Sequence, residues 1–197
     1  MHVRMTERTD LHALPSDLPV PVDDGAADQL AGRSLPAVAL RSTGGGEVDL
    51  AAAAAAAQRL VLYVYPRTGV PGEPLPDGWD AIPGARGCTP QSCAFRDHHA
   101  ELRDAGADVL GLSAQTAEEQ AEFAAREHIP FALLSDSQLA LARELGLPTF
   151  EAGGMRLYKR ITLIVEDGAI AKVFYPVFPP DRNAADVLAW LRERDRR

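Results

Sequence analysis

Seven consecutive residues, Arg59 to Tyr65 (RLVLYVY), carry almost no polar side chain before Pro66 stops the run. A strand with one wet face alternates apolar and polar residues. An unbroken β-branched and aromatic run instead marks a buried strand, which needs cover on both faces. Helical patterns downstream supply that cover. From about Cys88 to Asp104, Phe95, His98, His99 and Leu102 share one helical face. ADVLGLS (Ala107 to Ser113) reads as a second buried strand. TAEEQAEFAAREH then reads as a helix with Ala117, Ala121, Ala124 and Ile129 inward, ended by Pro130. FALLSD gives a short strand and Ser137 to Leu145 a short helix. RITLIVE and AIAKVFY flank Asp167-Gly168, a strong hairpin signal. A last helix carries Ala184, Val187, Leu188 and Leu191 on one face, with Asp181 or Asn183 as its cap.

Upstream, SLPAVAL (Ser34 to Leu40) is a strand. Gly44 to Gly46 turn it back into EVDL, and Asp49 caps a helix through the alanines. The whole is an α/β fold, a central mixed β-sheet flanked by helices, compatible with a thioredoxin-like core. Residues 1–31 read as a partly ordered arm, with a short helix over Asp24 to Leu30. Residues 32–197 read as one domain with an insertion at about 69–84.

The formal net charge of −8 argues against nucleic acid or an anionic membrane as partner. No stretch approaches the roughly 18 apolar residues of a membrane span, and the first residues lack the apolar run of a signal peptide. A cytoplasmic protein is expected. In that compartment a lone cysteine pair serves catalysis or metal binding more often than structure.

The pair is Cys88 and Cys93, in GARGCTPQSCAF at the start of a helix. Before it come 21 residues, Arg67 to Gly87, rich in proline and glycine and without period. Loops this long are uncommon in compact domains and usually functional or disordered. Only a thiolate is a good nucleophile. Bringing an ordinary thiol from about 8.5 down to ~6 takes about 3.4 kcal/mol. A helix N-terminus supplies at most about 2 kcal/mol, so a cation is needed as well. Arg86, Arg96 and the sequence-remote Arg160 are the candidates. In an intact helix, residues five apart stand nearly ~9 Å apart at Cα, beyond disulfide reach. A bond between these two therefore requires the helix start to unwind. Pro90, at the third helical position, removes no interior hydrogen bond. Two inert buried thiols, or zinc held by Cys88, Cys93, His98 and His99, are the competing readings. The second suffers because one helix points those groups in different directions.

These motifs resemble the peroxiredoxin family, in its bacterioferritin comigratory protein-like (Q-type) branch, over about residues 32 to 172. VLYVYP is similar to the strand entering that family's active-site loop. GCTPQSCAFRD matches its helix start, and KRITLIVEDGAI its arginine-bearing hairpin. The resemblance implies a thiol-dependent peroxidase acting on hydrogen peroxide and organic hydroperoxides. Cys88 becomes the peroxide-attacking thiol, Cys93 the resolving thiol in the same chain, and Arg160 the polarising cation. Pro66, Thr68 and Gly87 would contribute to the peroxide pocket. Thr68 stands where the family's Pro-xxx-Thr-xx-Cys spacing is broken, since Ala85 occupies the position three before Cys88. The implied partners are a peroxide and thioredoxin or a similar dithiol. No metal, flavin or nucleotide cofactor is implied, and the chain is expected to be a monomer or weak homodimer. A thiol-disulfide oxidoreductase or a non-enzymatic redox sensor on the same fold is the alternative.

Overall fold

The computed structural model describes residues 9–196, and expectations for residues 1–8 lie outside it. The chain runs β1 (Ala39–Ser42), β2 (Glu47–Asp49), α1 (Leu50–Ala56), β3 (Arg59–Val64), α2 (Cys88–Asp97), α3 (His99–Asp104), β4 (Ala107–Ser113), α4 (Ala117–Arg126), β5 (Leu133–Ser135), α5 (Ala140–Leu145), β6 (Thr149–Ala152), β7 (Met155–Tyr158), β8 (Ile161–Glu166), β9 (Ala169–Phe174) and α6 (Asn183–Asp195). Seven strands form one sheet in the order β2-β1-β5-β4-β3-β8-β9. Strand β3 is buried at every position. It runs parallel to β4 and antiparallel to β8, so the sheet is mixed.

Successive side chains of β3 face opposite ways and seed two cores. Leu60, Leu62 and Val64 pack with Leu50, Leu141 and Tyr158. Val61, Tyr63 and Tyr65 pack with Cys88, Phe95, Phe123 and the α6 residues Val187, Leu188 and Leu191. The thiol at the start of α2 is thus set against the aromatic face of the most buried strand. Asp49 caps α1 as expected, its side chain accepting from Ala52 N at 2.8 Å.

Several local expectations are corrected. Residues 25–30 form successive turns, closed by Asp28 N to Gly25 O and Leu30 N to Ala27 O, and not a helix. The helix from Cys88 divides at His98, which ends α2 and precedes α3 with φ −93° and ψ 5°. Helix α4 turns Ala117, Gln120 and Phe123 inward and leaves Ala121 exposed. The buried Gln120 is tolerated because its amide donates to Ser113 Oγ and Leu134 O. Neither Asp181 nor Asn183 caps α6, which begins without a side-chain cap.

A second sheet, the hairpin β6–β7, escapes the sequence pattern. Its turn residues Gly153 and Gly154 both have positive φ, the glycine pair being the available signal. The hairpin has a role in the long loop. Trp79, buried in a short 3-10 turn (Trp79–Ala81), lies 6.2 Å from the Phe150 ring. It joins Ala85, Ala152 and Leu157 in a third small core. The aperiodic segment is therefore held by packing on β6–β7. The arm is held as well. Arg86 donates to Asp10 O at 2.7 Å, and Leu11 and Leu30 are buried.

Candidate active site

Cys88 opens α2, preceded by Gly87 at φ +105°. A Cβ at Gly87 would meet Pro180 Cγ at 2.4 Å and Leu14 Cδ2 at 2.8 Å. Only glycine allows the backbone this turn and this approach. The Cys88 thiol is 3% exposed. Of the three candidate cations, Arg160 reaches it, with Nη2 3.2 Å from Sγ. The same nitrogen lies 3.1–3.2 Å from the carbonyls of Gly84, Ala85 and Arg86. The loop end and the sulfur thus share one guanidinium. Arg86 instead pairs with Asp80 at 3.0 Å, and Arg96 with Asp97 at 2.9 Å.

Arg160 sits between β7 and β8, buried, and is aimed by a polar chain that the sequence does not advertise. Its Nη1 donates to Gln91 Oε1. Gln91 Nε2 donates to Asn183 Oδ1 at 3.0 Å, and Thr162 Oγ1 donates to the same oxygen at 2.7 Å. All four residues are buried. Asn183, expected as a helix cap, instead anchors this network. Gln91 had a readable signal, lying one turn after Cys88 on the same helical face. Arg160 Nε is buried with no partner among the described residues. A buried, unpaired donor is rare and marks a place where a ligand atom can be received.

Pro66 is buried just after β3, where it ends the strand pairing. Thr68 donates both its backbone N–H, at 2.8 Å, and its hydroxyl, at 3.1 Å, to Gln115 Oε1. The backbone donor fixes the amide orientation, so the hydroxyl proton is committed to Gln115.

Cys93 lies further along α2 and faces other company. Its Sγ is 3.6 Å from Glu127 Oε2. Burial pushes the Cys93 thiol up to about 11; Arg96 opposes the shift and Glu127 adds to it. Burial works against charge on Glu127 too, yet the bond from His12 and the Arg126 guanidinium hold its carboxyl below its ordinary value. His12 Nε2 meets Glu127 Oε2 at 2.9 Å, and Arg126 Nη1 meets Oε1 at 2.8 Å. His98 and His99 go elsewhere, to Glu101 and to the Phe131 ring, which His99 meets tilted at 55°. Both cysteines are free thiols.

The family model described as Redoxin matches residues 30–188. The chain belongs to the Redoxin family. It is 33% identical to Peroxiredoxin Bcp of Escherichia coli strain K12, over 69% of this chain and 80% of that one. It is 31% identical to the chloroplastic Peroxiredoxin Q of Sedum lineare over 68% of this chain, and the match spans 63% of that protein's length. Among solved structures, the peroxidoxin BcpB of Mycobacterium tuberculosis superposes with a TM-score of 0.67 at 26% identity, covering 83% of this chain and 97% of that one. These relatives put the redoxin on the peroxiredoxin Q and Bcp branch, with its thioredoxin-like α/β fold. No helix of the described residues is long and apolar enough to cross a membrane.

Proposed function

We propose that this redoxin is a thiol peroxidase in which Cys88 is oxidised and Cys93 resolves. The observation that carries the reading is the Arg160 guanidinium 3.2 Å from a buried Cys88 sulfur at a helix start. A positive donor there favours negative charge on sulfur, and the free Nε proton is available to a peroxide oxygen. The Cys88 thiolate attacks the terminal oxygen of ROOH. The O–O bond breaks, an S–O bond forms, and the departing alkoxide or hydroxide takes a proton to become alcohol or water. Cys88 is left as sulfenic acid. Unwinding of the first turns of α2 lets the Cys93 thiolate attack that sulfur. An S–S bond forms, and hydroxide leaves as water after protonation. An external dithiol, thioredoxin or a similar protein, then reduces the disulfide by exchange.

An apolar groove of about 310 Å³ beside Arg160, lined in part by Val20, Ile82, Tyr175 and Val177, supports organic hydroperoxides as substrates besides hydrogen peroxide. The reading includes Gly87 as the residue that lets the helix start approach its neighbours, and Pro66 and Thr68 as the pocket wall. It also includes a cytoplasmic monomer or weak homodimer whose thiols are kept reduced between turnovers. Stopped-flow oxidation of Cys88 by hydrogen peroxide tests it. Rapid oxidation, abolished in Cys88→Ser and retained for one turnover in Cys93→Ser, is expected. A rate no faster than that of a free cysteine sinks the proposal.

A further inference from the structure

Residues 9–14 lie outside the family match, which begins at residue 30. They nonetheless reach the second cysteine. His12 from the arm, Cys93 from α2 and Glu127 from the end of α4 bring one donor atom each to a common point, all within 4.8 Å of one another. We propose that these three residues form a binding site for a divalent transition-metal ion of the zinc type, occupied only while Cys93 is reduced.

The donor set is imidazole nitrogen, thiolate sulfur and carboxylate oxygen, the ligands zinc prefers. Three protein ligands with one open position is a recognised zinc arrangement. Bonds of about 2.0–2.3 Å at tetrahedral angles put neighbouring donor atoms about 3.3–3.8 Å apart. Here Cys93 Sγ to Glu127 Oε2 is 3.6 Å and His12 Nε2 to the same oxygen is 2.9 Å. Two of the three pairs thus stand close to the separations an ion requires, both converging on Glu127 Oε2. The third, Cys93 Sγ to His12 Nε2, lies within 4.8 Å and closes by a small rotation of the exposed His12 ring.

The outer groups fit as well. Arg126 Nη1 holds the other carboxylate oxygen at 2.8 Å, which turns Oε2 toward Cys93 and His12. His12 Nδ1, facing away, lies 3.9 Å from Asp10 Oδ1, near enough for a carboxylate to orient the ring by a small rotation. The His12 side chain is 58% exposed, so an ion can enter from solvent on that side. Coordination replaces the Sγ–H bond with a metal–sulfur bond and releases the proton to water. Two anionic ligands then balance the two positive charges of the ion. Arg96, 4.0 Å from Oε2, repels a cation and keeps the site weaker than a closed four-ligand one.

The consequence rests on Cys93 being the resolving thiol. A metal-held sulfur cannot reach Cys88, so bound zinc leaves the first oxidation intact and slows disulfide formation. The site itself is tested separately, by titrating cobalt(II) into reduced Cys88→Ser protein, in which Cys93 is the one remaining cysteine. One equivalent should give a near-ultraviolet thiolate-to-cobalt absorption that zinc displaces, with affinity falling at least fivefold in the His12→Ala version of that protein. Absence of the band, a loss under fivefold on His12→Ala, or equal cobalt–thiolate binding by the single variant Cys93→Ser through Cys88 would overturn the site. If cobalt binds as described but peroxide yields no Cys88–Cys93 disulfide in the metal-free unmodified protein, the site stands and the resolving role of Cys93 falls. A disulfide that forms equally fast with saturating zinc overturns the proposed block on resolution.

Discussion

Two thiols on one ten-residue helix are placed in opposite electrostatic company. Cys88 Sγ accepts from a guanidinium that itself fills a cage of carbonyls. Cys93 Sγ donates to a buried carboxylate. A cation beside sulfur favours the thiolate that the proposed peroxide chemistry needs, whereas burial, with a carboxylate beside the sulfur, keeps the proton on Cys93. The helix thus carries one thiol beside a cation and another, buried, beside a carboxylate. What distinguishes them is what faces each sulfur: Arg160 from the β7–β8 junction at Cys88, and Glu127 from the end of α4, bonded to His12, at Cys93.

The largest effect is expected from removing the cation. Arg160→Met keeps much of the side-chain bulk but leaves the sulfur without its charged donor. Loss of a comparable buried donor typically costs about 10²–10³ in rate, so Cys88 oxidation should slow by that order. Arg160→Lys, which keeps the charge but not the planar fork, should recover only part of it. Single-turnover kinetics on Cys93→Ser protein isolate this step. A rate unchanged in Arg160→Met would show that Cys88 does not depend on the asymmetry.

The second effect concerns Cys93. With burial pushing its thiol up to about 11, Cys93 is held protonated at pH 7 while α2 is folded. The sign follows directly: the proton is bound below that value, so the nucleophile grows with pH. Disulfide formation after a pulse of peroxide should therefore rise about tenfold per pH unit between pH 7 and 9. Glu127→Gln removes the neighbouring negative charge but not the burial. It should speed resolution several-fold at pH 7 and shift the profile to lower pH. A flat profile in both proteins would mean that unwinding of α2, not deprotonation, limits the step.

Much of this asymmetry is legible in the sequence on the Cys88 side and almost none of it on the other. RLVLYVY demanded a doubly covered strand, and β3 is one. Arg160 could be proposed because it begins an apolar strand run, and rigid placement under a thiol is what such a position provides. Glu127 and His12 could not. Glu127 sits where a helical period drawn through alanines points it outward, and the true inward face follows Phe123 and Gln120. His12 comes from an irregular arm, where no period constrains a side chain. The β6–β7 hairpin escapes the sequence pattern for a related reason. Its burial does not alternate: Glu151 and Arg156 are exposed, while Ala152 and the successive Leu157 and Tyr158 are buried. The long loop carries no period of its own because the cover for its Trp79 comes from that hairpin.

The smallest effect tests how the favourable half of the comparison is built. Gln91 touches neither substrate nor sulfur; it joins Arg160 to Asn183 and Thr162. Gln91→Leu keeps the volume and removes both bonds, leaving a buried guanidinium donor without its acceptor, while Asn183 Oδ1 keeps the Thr162 hydroxyl. An unsatisfied buried group costs about 1–3 kcal/mol, so a denaturant titration should show unfolding free energy lower by about that much. A purely structural role would stop there. A positioning role predicts in addition a several-fold slower oxidation of Cys88, with resolution by Cys93 unchanged, because the two sulfurs are served by separate networks. Gln91→Glu gives the discriminating arm: it keeps the acceptor for Arg160 and gives up the amide donor to Asn183, so it should restore the oxidation rate more than the stability. Equal losses in both steps would show that the helix, and not the side-chain network, carries the difference between the two thiols.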